Sequence, residues 1–195
     1  YFLSFLFRGV IDVTNYFRKR KLNQFFRRFL RGEFSFLLIC FALYFVHWQA
    51  MVVVFVIPFV YIRFGMMAGN WGQHAFIDAD DPANNYRNSI NCINCTYNRQ
   101  CFNDGYHIGH HLKPTLHWTE LPQDFLKNRQ EYAANGAIVF EGLDFFQVWF
   151  LLMTKRYDVL AKRFVDLSGD APSQESIIEL LKSRTRRISH SAQAA

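Results

Sequence analysis

Residues 104–114 read DGYHIGHHLKP, and the side chains in this chain best suited to chemistry are the three imidazoles of that run, His107, His110 and His111. If the run is helical, offsets of three and four residues bring all three rings to one face. Imidazole is a borderline ligand that suits iron, zinc, copper and nickel, so the spacing points to a transition metal without choosing among them. A solvated histidine cluster, or core histidines satisfied by hydrogen bonds, is the plainer alternative for the triplet alone. Residues 69–76, GNWGQHAF, supply a second group in which Asn70 and His74 stand four apart, one turn above each other on a helix. An amide oxygen can bind a metal or hold a metal-bound water, and His74 offers a nitrogen. On its own such a pair reads as capping and interfacial residues; placed with the triplet on one side of an apolar segment, it reads as ligands.

The elements that must position these groups are apolar and basic. Of 195 residues, 51% are hydrophobic, 18% are aromatic and 22 are Phe, with a net charge of +6, which suggests lipid rather than nucleic acid because Lys and Arg sit beside apolar runs. Residues 34–62 contain no Lys, Arg, Asp or Glu. As one helix this run would be about 43 Å long at 1.5 Å per residue, beyond a hydrocarbon core of roughly 30 Å. Arg18, Lys19, Arg20, Lys21, Arg27, Arg28 and Arg31 precede it and Arg63, Arg87 and Arg99 follow it, so both flanks belong on the cytoplasmic side and the number of crossings is even. The trio His47, Trp48 and Gln49 would make the far-side turn of a transmembrane hairpin at about residues 34–66; one heavily tilted span is the alternative.

Before the hairpin, residues 1–10 are apolar and residues 10–30 mix Phe with Arg and Lys at helical spacing, as in Phe17, Phe25, Phe26 and Phe29. This reads as a helix on the membrane surface with its cationic face toward headgroups, or packed on its own protein. Residues 78–104, dense in Asn, Asp and Pro, are expected as loop. Residues 137–153 are apolar but carry Glu141 and Asp144, which predicts a cytoplasmic or interfacial helix rather than a third span. A capped helix is expected at 173–184 and disorder from Thr185. Residues 1–10 show no secretory signal, and a start in an apolar stretch without Met predicts the C-terminal part of a longer protein. The expected architecture is all-α and membrane-integral: the hairpin, a cytoplasmic helical cap at about 69–167 carrying the histidines, and a polar tail, 168–195.

The chain resembles the membrane-bound fatty acid desaturases and related hydroxylases, which carry a histidine-rich di-iron centre. The resemblance spans about residues 34–167 and rests on the box GYHIGHH at 105–111, on the order hairpin, Asn70 to His74, then box, and on the continuation LKPTLHW at 112–118 through Leu121 and Pro122. It implies His74, His107, His110 and His111 as iron ligands, with Asn70 holding an iron-bound water. It further implies two iron ions with O2 as co-substrate, and a fatty acyl lipid or acyl-CoA as substrate. An electron donor such as cytochrome b5 or ferredoxin, and a multi-pass location in the endoplasmic reticulum with the boxes facing the cytoplasm, follow in the same way. The implied reaction introduces a double bond into an acyl chain, and a hydroxylase using the same residues is the close alternative. The family's earlier histidine boxes are missing before Phe34, so the chain would hold about half of a di-iron site, and no haem motif of cytochrome b5 is visible.

Asp104, Glu120 and Asp124 are candidates for orienting the imidazoles, and His117, six residues past His111, could orient the box or add a ligand. His47 and His190 fall outside the site. A rival reading takes Cys92, Cys95, Cys101 and His107 as a zinc knuckle in a non-catalytic membrane protein. Ordinary reduced thiols, with Cys40 a small residue among the apolar helices, are the simpler account.

Overall fold

The computed structural model describes residues 2–186. The part of the expected tail beyond residue 186, His190 included, lies outside the described residues. The chain divides into two compact units, one ending at Met67 and one beginning at Ala68.

Among its described residues the first unit is built of helices joined by a turn and a break. Helix α1 (Phe2–Lys19) ends where Lys21 adopts φ +57°. The Leu22 N–H then donates to the Phe17 carbonyl at 2.9 Å and the Lys21 N–H to that of Arg18 at 3.0 Å, the paired bonds of a Schellman cap. The continuous surface helix expected over residues 10–30 is therefore two helices, since this cap stops the first and α2 (Asn23–Met51) starts anew. Phe17 packs on Phe25 and Phe29 across the turn, with ring centroids 6.3 and 6.0 Å apart. Helix α2 breaks at His47, whose backbone is extended (φ −161°, ψ 85°) and whose Nδ1 accepts from the Ala50 N–H at 3.2 Å, restarting the helix as a cap does. A π-helical turn (Val52–Val56) leads into α3 (Ile57–Gln73), and Pro58, which lacks an N–H, accounts for the slipped hydrogen bonding there.

The Phe36 ring lies 6.3 Å from that of Phe55 and 5.3 Å from that of Phe59. In an unbroken helix those rings would stand about 28 and 34 Å along the axis from it, so the chain doubles back at the His47 break. An apolar cavity of about 380 Å³ lies in this unit, lined by Gly9, Val13, Phe29, Phe59, Ile62 and Met66 among others. Helix α2 buries none of its side chains; Leu37, Phe45, Val46 and Tyr61 are among the large apolar residues left facing outward. Among the described residues, one helical run, Asn23–Gln73, is long and apolar enough to cross a membrane.

The second unit is not all helix. Strand β1 (Ile90–Ile93) pairs in parallel with β2 (Ile138–Glu141), Ile90 opposite Ile138 and Ile93 opposite Glu141. Both were expected otherwise, as loop and as the start of a helix. Gly136 and Gly142, at φ +65° and +69°, bracket β2 and stop the helical reading, and the β-branched pair Ile138 and Val139 favours the extended form. Helix α8 starts only at Phe145 (Phe145–Met153), behind a capping box in which Asp144 accepts from the Gln147 N–H at 2.8 Å and Gln147 from the Asp144 N–H at 2.9 Å.

Alternation along the strands sends Ile90, Cys92, Ile138 and Phe140 into one core with Phe76, Phe145, Val148 and Leu160, and Val139 into another with Ile108, Leu121, Phe125 and Tyr132. Parallel strands need a crossover, and the segment between these two carries four short helices: α4 (Thr96–Gln100), α5 (His107–Leu112), α6 (Leu121–Lys127) and α7 (Arg129–Ala134). Helices α9 (Tyr157–Arg163) and α10 (Gln174–Arg184) complete the unit. Ser173 caps α10, as the sequence predicts, through the Ser176 N–H at 3.2 Å. The segment expected as a polar tail nevertheless buries Leu181 fully in the first core.

Candidate metal centre

His74 follows the last turn of α3. Gly72 lets that turn meet α8 closely, because a Cβ there would run into the Phe145 carbonyl oxygen. The His74 Nδ1 lies 2.7 Å from the Asn88 carbonyl oxygen, which can only accept; Nδ1 therefore carries the proton and Nε2 carries the lone pair.

The other rings ride on α5, which the crossover presses onto β1. Asn91, fully buried in β1, accepts from the Ile108 N–H at 2.9 Å and so satisfies a first-turn donor that the helix itself leaves open. Asn98 clamps the approach to the box: its Nδ2 donates to the Cys92 carbonyl at 2.9 Å and its Oδ1 accepts from the Gly105 N–H at 2.8 Å. The Gly105 carbonyl takes the Cys92 N–H at 2.7 Å, and a Cβ on Gly105 would strike both Asn98 and the Cys92 oxygen.

This scaffold gathers His74, His107 and His111, whose ligand nitrogens all fall within 4.8 Å of one another. The His107 Nε2 is 3.3 Å from the Nε2 of His74 and 3.1 Å from that of His111. Two nitrogens bound at about 2.1 Å to one ion, at angles between octahedral and tetrahedral, stand roughly 3.0–3.4 Å apart, and both separations lie in that range. Burial lowers the proton affinity of His74; the bond to Asn88 opposes this and the nearby His107 adds to it. His111 is pushed down to about 4 by burial and by the neighbouring His107, His74 and His110. Both rings are thus neutral near pH 7, the state a metal requires. Three crowded imidazoles with their Nε2 atoms turned inward, that of His74 carrying a lone pair, suit a shared cation.

The remaining sequence-predicted residues fall as follows. Asp104 Oδ1 faces the buried His107 Nδ1 at 3.6 Å, an ion-pair distance rather than a hydrogen bond, and that nitrogen has no hydrogen-bond partner. Burial would raise the Asp104 carboxyl, but His107 and the Tyr97 hydroxyl outweigh it and hold the group below its ordinary value. His110 is exposed and stands outside the trio, lining an open groove with Asp104, Phe102 and Trp118. Asn70 is exposed on α3, one turn before His74. His117 is engaged by Thr119 at 2.7 Å, Asp124 by Lys113 at 2.5 Å and by Asn128 at 3.1 Å, and Glu120 is exposed.

The cysteines do not form the zinc knuckle. Cys92 is buried in the sheet core, and among the described residues the one group of His, Cys, Asp or Glu within ligand reach is the histidine trio. Burial pushes the Cys92 thiol, and less strongly that of Cys95, toward the protonated form, as inert core thiols require. Gln73, Asn88, Asn91, Tyr97 and Asn98 support the site without any local sequence signal, since each acts across at least six residues of chain.

No curated protein and no solved structure matches the chain. The sequence profile of the fatty acid desaturase family matches residues 1–143, which takes in the helices before residue 34 and stops short of α8. With His74 and the whole box inside a match that spans 143 of 195 residues, the chain belongs to the fatty acid desaturase family.

Proposed function

We propose that this chain works in a membrane-embedded, O2-dependent desaturase, and that it supplies part of a di-iron site. The observation that carries the reading is the meeting of three inward-turned Nε2 atoms from two distant segments, at separations suited to one shared ion. His74, His107 and His111 would hold that ion; His110 and, through a water, Asn70 would face the second, with further ligands from elsewhere in the full-length protein. When bound, the irons supply O2-dependent oxidation of an unactivated C–H bond, which no acid or base side chain can perform. The overall reaction takes two hydrogens from neighbouring carbons of an acyl chain, with two electrons delivered one at a time by a donor and two protons from solvent, and reduces O2 to two waters. A donor of the cytochrome b5 or ferredoxin class would serve.

The chain's own residues do the positioning. Asn88 fixes the His74 tautomer, Asn91 and Asn98 fix the helix that carries the box, and burial keeps the His74 and His111 rings neutral. The helical unit, with Leu37, Phe45 and Val46 facing outward and a reversal at His47, suits a membrane hairpin whose two ends return to the cytoplasmic side. Residence in the endoplasmic reticulum and an acyl-lipid or acyl-CoA substrate belong to the same proposal. The test is metal analysis of the full-length gene product purified in detergent, with fatty acid profiling of cells that express it. Two irons per chain, lost on His107→Ala together with a new unsaturated product, are expected. Zinc at one per chain, retained in that variant, would overturn the reading, and a hydroxylated product would redirect it to the family's other chemistry.

A further inference from the structure

Asp104 sits three residues before His107, yet its second oxygen looks the other way. Oδ2 accepts from the Tyr97 hydroxyl at 2.7 Å and from the Gln73 Nε2 at 2.9 Å. Gln73 is the residue immediately before His74. Tyr97 is itself held edge-on against Phe145 at 5.9 Å between ring centroids, and the same Phe145 ring stands 5.9 Å from His107. The His107 Nδ1 is buried, lacks a hydrogen-bond partner, and faces Oδ1 at 3.6 Å. An acceptor-only carboxylate in that place selects the Nδ1–H form of the ring and leaves Nε2 free for the trio.

We propose that Asp104 is the positioning residue of the cluster: Tyr97 and Gln73 fix one carboxylate oxygen so that the other sets the tautomer and direction of His107, tying the α3 segment to the histidine box through one side chain. The consequence for metal rests on the proposed metal-binding function; the tautomer does not. Asp104→Asn gives an unusual outcome. Tyr97 and Gln73 are both donors toward the Oδ2 position, so the amide oxygen takes that place and the amide NH2 is turned toward His107. A donor facing Nδ1 forces the proton to Nε2, into the centre of the cluster.

The test uses the protein in detergent, labelled with 15N-histidine, kept metal-free at neutral pH, with the His107 signals identified by their loss in His107→Gln. The parent should show Nδ1–H at His107, and Asp104→Asn should show Nε2–H. Cobalt(II), the probe ion, should bind about 10- to 100-fold more weakly to Asp104→Asn at an unchanged melting temperature. Tyr97→Phe, which removes only a hydroxyl, should give a mixture of tautomers and a smaller loss, and so guards against misfolding of the first variant. An unchanged His107 tautomer in both variants, with cobalt affinity within twofold of the parent, would overturn the proposal. A parent that holds the Nδ1–H form but binds no cobalt would support the orientation and remove the metal reading.

Discussion

Asn98→Ala is the perturbation whose cost can be worked most directly from the structure. Asn98 is 7% exposed and serves two buried backbone groups, the Cys92 carbonyl at 2.9 Å and the Gly105 N–H at 2.8 Å. Truncation leaves both without that partner, and a buried polar group left unpaired costs about 1–3 kcal/mol. The Cys92 oxygen keeps a weak contact to the Cys95 thiol at 3.7 Å, so the sum is roughly 2–5 kcal/mol rather than the upper bound. Because Gly105 lies two residues before His107, the damage should reach the site, and cobalt(II) affinity should fall with stability. Guanidinium unfolding in mild detergent, followed by fluorescence, reads the first quantity and cobalt titration the second. Asn98→Asp separates the two bonds: it keeps the acceptor for Gly105 but turns an oxygen toward the Cys92 carbonyl, and should lose at least half as much. If Asn98→Ala unfolds within about 0.5 kcal/mol of the parent, the range of a neutral surface change, the clamp is not what holds the box.

His111→Ala should abolish the ion bound by the trio, whereas His110→Ala should leave that ion within a fewfold of parental affinity; equal losses in a cobalt titration would mean that the two rings share one ion. Gly72→Ala should destabilise the second unit by about 1–3 kcal/mol in the same unfolding assay, because the new Cβ meets the Phe145 backbone rather than a side chain that can swing away, and a silent substitution would disprove the close approach. Cys92→Ser with Cys95→Ser should leave metal content unchanged, and loss of the metal would revive the knuckle. Asn94, exposed and followed by Cys95 and Thr96, completes a glycosylation acceptor; expression in mammalian cells should yield protein whose mass does not change on glycosidase treatment, and a glycan there would place this unit on the lumenal side.

The apolar run was legible because length and composition alone mark a helix apolar enough to cross a membrane, and its interruption at His47 was legible as three polar residues in a charge-free stretch. The sheet was not. Each strand is four residues long, the partners lie 48 positions apart in sequence, and β1 offers Ile-Asn-Cys-Ile inside a stretch rich in turn formers. Only the pairing makes that segment extended, and pairing has no local signature. Residues 137–153 were misread for a different reason: an apolar run cannot distinguish strand from helix by periodicity, and the decisive marks were Gly142 and the spacing of Asp144 and Gln147 that opens a capping box. The end of α1 was also hidden, since a Schellman cap is usually announced by glycine and here the left-handed residue is Lys21.

The histidines were readable as a set, but not their division. On α5, His110 and His111 lie at about −60° and +40° from His107, so they share a face only in the loose sense that spacing permits. Which of them joins His107 depends on where His74 arrives, and that is decided by Gly72 against Phe145, by Asn88, and by the Asp104 node, none of which spacing reports. This arrangement has an energetic consequence. His74 and His107 are 33 residues apart, and an ion that had to bring them together from a disordered chain would bear the whole entropy of closing that loop. Here β1, the Asn98 clamp and the Gln73 to Asp104 bond close it through the protein's own contacts, with the nitrogens at ligand spacing. The strand pair that the sequence concealed is thus what lets a six-residue helix present its histidines together, and the closing of the loop is borne by protein contacts rather than by an ion alone.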